Sequence, residues 1–475
     1  MNPLTVRLVL EEVFTHLSVD DLKVCRTVNK AWCQEATVIL RNSISNISIG
    51  TPAALRGVTT LSTSSHSVPF TKFNLSSHFF SLPNCAKTLF EFLSAFSPEL
   101  QSLSITLDRE SNPLPESELD HLKFTKLTKL TLTGHGLDTL APCSKNGTEI
   151  PSIFKAMLSS SPRLESLSII MDPGCRSTVK KIINCMTSTS LRNVSSLEIY
   201  IPVGDEEILS LSRIPFHLKK LKCDFHRSCF LPESFKTFLS AQSASLEHIK
   251  FDNFYGNSCY TVAFPEEMTR VVKLGIDGRS ELSSKEVTFL PFNYNRQFPA
   301  LRDLVLGGSI EFNTCWKILF PEDTTVASVK GLKLTARYVD PVWVGRIGVI
   351  FPNLEKLFFS LTPRNEELAR VVFSSFKGTK ELTVYFQGGV GNVDRLFLGE
   401  EEDDVGLANL KSLHTLRFKA DKLPSSGQKA CHISDLTVTN CLMKMTNLRN
   451  VIMPPFQISQ HVLTQLSTKV NLHLT

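Results

Sequence analysis

From residue 100 onward one short phrase keeps returning, and its spacing leaves the chain very few architectures. It reads "LQSLSI", "LTKLTL", "LESLSI", "VSSLEI", "LKKLKC", "LEHIKF", "VVKLGI", "LRDLVL", "VKGLKL", "LEKLFF", "TKELTV", "LHTLRF" and "LRNVIM". Every copy has an apolar-x-x-apolar-x-apolar frame, apart from the threonine that opens "TKELTV". The central positions are Leu103, Leu130, Leu167, Leu197, Leu221, Ile249, Leu274, Leu304, Leu332, Leu357, Leu382, Leu416 and Val451. Looser copies precede them, "ISNISI" around Ile47 and "FTKFNL" around Phe73, and "KVNLHL" closes the series. Alternation within the phrase marks a strand with one buried face. Between the phrases lie "PSIFKAMLSSSP", "DEEILSLSRI", "PESFKTFLSAQ" and "NEELARVVFSSF", whose acidic or proline starts and apolar spacing predict helices.

Each unit is therefore strand, turn and helix, and a single unit cannot bury its own apolar face. The units must stack, strands pairing side by side and helices forming an outer wall. This predicts an α/β chain: a curved solenoid with a parallel sheet on its concave face and helices on its convex face. Successive steps from Leu197 to Leu382 are 24, 28, 25, 30, 28, 25 and 25 residues, within the range of leucine-rich repeats. The steps from Leu130 to Leu167 and from Leu382 to Leu416 are longer, so "GHGLDTLAPCSKNGTEIP" and "GGVGNVDRLFLGEEEDDVG" are predicted to loop out. "ISDLTVTN" around Leu436 fits the frame but stands too close to its neighbours, and it reads as the start of a helix.

The first 44 residues are of another kind. Val6, Val9, Leu10, Val13, Phe14 and Leu17 keep helical spacing, Ser18 and Asp21 form an S-x-x-D cap before a second helix, and Trp32 lies on a third. Three short helices bury too little surface to be very stable alone, so this piece is expected to be completed by the repeats, a partner, or both. The stretch "VFTHLSVDDLKVCRTVNKAWCQEA" resembles the F-box, matching its pattern at Val13, Phe14, Leu17, Asp21, Leu22, Cys25, Arg26, Val28, Lys30 and Trp32. With repeats behind it, the chain resembles the F-box and leucine-rich-repeat family, with the F-box over residues 1–44 and the solenoid over 45–475.

That resemblance implies a substrate receptor of a cullin-based ubiquitin ligase, docked through a Skp-type adaptor while the repeats hold a protein substrate. Leu4, Phe14, Leu17, Leu22, Cys25, Val28 and Trp32 would supply the adaptor-facing surface or the apolar layer under it. Two departures predict weaker docking: Pro3 precedes Leu4 in an inverted Leu-Pro, and Leu8 stands where the family has a glutamate. The alternative is a plain repeat scaffold in which the helices only cap the first repeat.

Within each phrase the residues between the apolar ones face away from the helices. Aligning the phrases gives columns: Lys220, His248, Lys273 and Asp303 before the centre, Lys222, Lys250, Gly275 and Val305 after it, and Asp224, Asp252, Asp277 and Gly307 three after it. Lysine and aspartate rows side by side read either as self-neutralising or as a patch that offers both signs of charge to a substrate. Phe358, Tyr385, Arg417 and Lys419 form a second candidate patch, with the aromatic and arginine anchors that binding hot spots favour.

Composition narrows the function further. A net charge of +5 from 51 basic and 46 acidic residues gives no reason to expect nucleic-acid or membrane partners. Arg7, Glu11 and Glu12 interrupt the apolar run of a secretory signal, and 12 cysteines without a C-x-x-C pair read as reduced thiols. A cytosolic or nuclear address follows, so the sequons at Asn46, Asn74, Asn146 and Asn193 carry no weight. Cys223, His226 and Cys229 are three where structural zinc takes four, and "GGVGNV" lacks a phosphate-loop lysine. The acidic stretch "GEEEDDVG" reads either as a solvated insertion or as a shield or gate for the nearby basic patch. No nucleophile-base set is present, so a non-catalytic, cofactor-free binding protein is expected.

Overall fold

The chain alternates strand and helix as the phrases require. The computed structural model describes residues 7–43, 47–64, 70–76, 85–108, 121–135, 150–172, 174–224, 228–252, 261–279, 288–309, 317–321, 324–336, 340–362, 366–387, 393–399, 406–420, 433–454 and 456–474. Outside them lie Pro3, Leu4, the sequons Asn46 and Asn146, His226 of the cysteine-histidine set, the long insertion at 136–149, the glycine-rich residues 388–392 and the acidic residues 400–405.

Among the described residues, sixteen parallel strands follow one another in chain order. The contacts divide the chain into two units, Met1–Leu218 and Lys219–Thr475. In the first, Ile47, Phe73, Leu103, Leu130, Leu167 and Leu197 stand directly opposite one another on successive strands. In the second, the row runs Leu221, Ile249, Leu274, Leu304, Leu332, Leu357, Leu382, Leu416, Val451 and Leu472. Every central residue of the phrase is thus in register with its neighbours, because a slip of one would turn each buried leucine outward.

The helices fall where the spacing placed them: Ile150–Ser159, Asp205–Ser212, Pro232–Gln242 and Glu366–Ser375. "ISDLTVTN" supplies the helix Asp435–Asn440, capped by Ser434, whose side chain accepts from the Leu436 amide. Helix residues such as Phe235, Phe238 and Leu239 are fully buried, as are Leu221 and Ile249 of the adjoining strands, so the core is a layer between sheet and helices.

A second periodic feature joins the turns. Two residues before most centres, the backbone amide donates to the same position of the preceding repeat, as in Val272 to Glu247, Arg302 to Val272 and Lys330 to Arg302. Two residues earlier still, polar side chains cover the preceding turn. Asn193 Nδ2 donates to the Pro162 carbonyl at 2.7 Å, Asn353 Nδ2 to Ala327 at 3.2 Å, and Asn447 Nδ2 to Lys411 at 2.8 Å. These asparagines satisfy carbonyls that a parallel stack leaves open at each turn.

The N-terminal residues form helices Arg7–Thr15, Val19–Cys25 and Lys30–Ser43. One element lies outside the repeat frame: Thr261–Val262 pairs in parallel with Thr288–Phe289, and Phe289 stacks on Phe264 at 6.1 Å. No described helix is long and apolar enough to cross a membrane.

Candidate functional site

Two surfaces carry the residues singled out from the sequence. The first is the N-terminal helical piece. Ser18 and Asp21 make the expected reciprocal cap: the Asp21 amide donates to Ser18 Oγ at 3.2 Å, and the Ser18 amide donates to Asp21 Oδ2 at 3.3 Å. Asn29 Oδ1 accepts from the Trp32 amide at 3.0 Å and starts the third helix. With the turns set this way, Leu10, Phe14, Leu22, Cys25, Ala36, Ile39 and Leu40 close on one another, and Leu17, Ala31 and Trp32 pack against them. Phe14 meets Trp32 edge to face with centroids 5.2 Å apart.

Of the residues expected to serve an adaptor, Phe14, Leu22 and Cys25 are therefore the buried layer, Leu17 and Trp32 are half-buried against it, and Val28 is 54% exposed. Leu4 lies outside the described residues. Leu8, Val9, Val13 and Val24 are also exposed, which helical spacing alone did not separate from the core positions. Val9 and Val13 stand one turn apart on the same helix and are neighbours on its surface.

The second surface is the sheet face turned away from the helices in Lys219–Thr475. The columns read from the sequence are real rows: Lys220 faces His248, His248 faces Lys273, Lys273 faces Asp303, and Asp252 faces Asp277. The aspartates are less open than a solvated row, since Asp224 and Asp252 are buried and Asp277 half-buried. The lysines cover them. Lys222 Nζ lies 2.9 Å from Asp252 Oδ2, Lys250 pairs with Asp252 as well, and Lys250 Nζ is 3.8 Å from Asp277. Gly275 makes the last arrangement possible, for a Cβ there would come within 2.9 Å of the Lys250 Cγ that crosses it.

His248 sits in this row with its basicity lowered, first by burial and then by Lys220 and Lys273 on either side. Cys223, beneath the row, is buried, and that burial pushes its thiol far up, with Asp224 and Asp252 adding to the effect. It is a core thiol, as its place in the repeat frame implied.

The ion pairs continue along the face. On the face Lys356 meets Glu381 at 3.0 Å, and in the adjoining turns Lys380 and Lys330 flank Glu355 at 3.3 and 3.5 Å, which holds that carboxyl below its usual range. Phe358 and Tyr385 lie tilted with centroids 6.2 Å apart, and Lys333 Nζ stands 4.9 Å over the Phe358 ring. Next comes a groove of about 480 Å³ lined by Arg417, Phe418, Lys419, Ile452 and His473. Thr383, Arg417, Ile452 and His473 occupy one row, and Tyr385 faces Lys419. The structure thus joins Arg417 to Lys419 and Phe358 to Tyr385, and adds Lys333, Ile452 and His473. All three follow a repeat centre by one residue, so extending the columns to the last phrases identifies them.

No family model matches the chain, and no curated protein matches it.

Proposed function

We propose that this chain is a substrate receptor of a cullin-based ubiquitin ligase: its N-terminal helices are an F-box that docks a Skp-type adaptor, and the repeats, a curved solenoid of leucine-rich repeats, present a protein substrate on the sheet face. The observation that carries the reading is the state of the helical piece. Its buried cluster is drawn from positions 10 to 40 alone, while Leu8, Val9, Val13, Val24 and Val28 remain in solvent. A mere cap for the first repeat would spend its apolar side chains on that repeat; exposed valines around an independent core suit an adaptor groove instead. The chain's part in the reaction is proximity, holding a lysine-bearing partner where ubiquitin is transferred.

Co-purification of the full chain with a Skp-type adaptor tests this. The complex is expected with the unaltered chain and lost with Val28→Asp. Failure of the unaltered chain to retain the adaptor favours a scaffold without a ligase role.

A further inference from the structure

Lys220, Lys273, Arg417 and Lys419 are exposed cations of the sheet face in Lys219–Thr475, and of these four Arg417 and Lys419 line the groove. Lys222 and Lys356 pair with a carboxylate of the adjoining strand, Lys250 with Asp252 of its own strand and Asp277 of the next, and Lys330 and Lys380 with Glu355 in the turns. Arg417 and Lys419 are exposed and make no ion pair among the described residues. The positions that would neutralise them hold Thr383 and Ile452 beside Arg417, and Tyr385 beside Lys419. Two cations on alternate residues of one strand stand roughly 6.7 Å apart, the spacing of alternate side chains in any extended peptide. Half-buried Ile452 gives an apolar floor next to them, and His473 closes the far side of the groove.

We propose that this groove binds an extended acidic segment of a partner protein, a Glu-x-Glu stretch whose carboxylates reach Arg417 and Lys419 while their methylene stems lie on Ile452. Arginine takes a carboxylate through two parallel N–H donors, lysine takes one as a point charge, and neither is held in an ion pair among the described residues. A nucleic-acid strand fits less well, because it needs a longer basic track than this groove supplies. The proposal rests on the receptor reading and names the substrate chemistry for it.

The test is fluorescence anisotropy on the full chain with a labelled synthetic peptide containing Glu-Ala-Glu, its Gln-Ala-Gln counterpart and a single-stranded oligonucleotide. The glutamate peptide is expected to bind best, to weaken with added salt, and to lose roughly tenfold or more in affinity with Arg417→Glu or Lys419→Glu, but not with Lys126→Glu elsewhere. On the double variant, a Lys-Ala-Lys peptide is expected to regain affinity. Equal binding of the glutamate and glutamine peptides, tighter binding of the oligonucleotide, or indifference to both substitutions overturns the proposal. Adaptor retention is scored on the same preparations. No peptide binding with the adaptor retained overturns this inference alone, whereas peptide binding without the adaptor upholds it and removes the receptor reading.

Discussion

His248 shows how a single side chain ties this face to pH. Its value in the folded chain lies below the usual 6.5, because it is partly buried between Lys220 and Lys273. Between the two values the unfolded chain binds more protons than the folded one, so stability rises with pH there. The contribution is whole above about 6.5, is lost as pH falls toward the folded value, and is flat below it. Urea midpoints measured across this range are expected to drop on acidification, and His248→Asn should remove part of that drop. Asp394 is a different case, a buried carboxylate that accepts from the Ser434 amide at 3.0 Å, Ser434 Oγ at 2.5 Å and Thr437 Oγ1 at 2.6 Å. It anchors the start of the helix Asp435–Asn440 across an insertion. Asp394→Ala strands these donors and is expected to cost about 3 kcal/mol in denaturant unfolding.

At the scale of elements, the strands were the legible part. A period of two inside the phrase, and steps of 24 to 30 residues from Leu197 to Leu382 with longer ones where insertions intervene, locate the centres that stand opposite one another within each unit. The pair Thr261–Val262 and Thr288–Phe289 was not legible, since two-residue strands have no period to read. Nor was the asparagine series at Asn193, Asn353 and Asn447, whose role depends on which carbonyl the preceding turn leaves within reach. The columns gave the positions of Lys222, Asp252 and Asp277, but their burial and pairing are set by how lysine stems cross the neighbouring strand, which sequence spacing does not encode. Glycines separate two kinds of crowding. A Cβ on Gly331 would meet Asp303 Oδ1, the tip of a movable side chain, whereas on Gly406 it would meet the backbone carbonyls of Phe397 and Leu398 at 2.6 and 2.9 Å. Gly406→Ala is therefore expected to destabilise by about 1–3 kcal/mol in thermal unfolding, and Gly331→Ala by clearly less.

For the whole molecule, the chain consists of stacked strand-helix repeats and a short helical piece whose core is its own. The repeats stack because each strand-helix unit lacks a second layer, and stacking turns one sheet face away from the helices. The helical piece solves the same problem differently, burying Phe14 and Leu22 within itself and leaving valines outside. The apolar positions were legible from helical spacing and from the residues that resemble an F-box; which of them stay inside and which outside was not, because helical spacing treats Val13 and Phe14 alike. The central claim is that those outer valines dock an adaptor, and size-exclusion chromatography with light scattering of the full chain mixed with a Skp-type adaptor tests it most directly. A one-to-one complex is predicted for the unaltered chain. It should be lost with Val13→Asp and Val28→Asp while the thermal midpoint stays unchanged, which separates docking from the unfolding that Phe14→Ala would cause at a cost of about 3–5 kcal/mol. Two unmixed peaks with the unaltered chain, or a complex indifferent to both valine substitutions, would contradict the account.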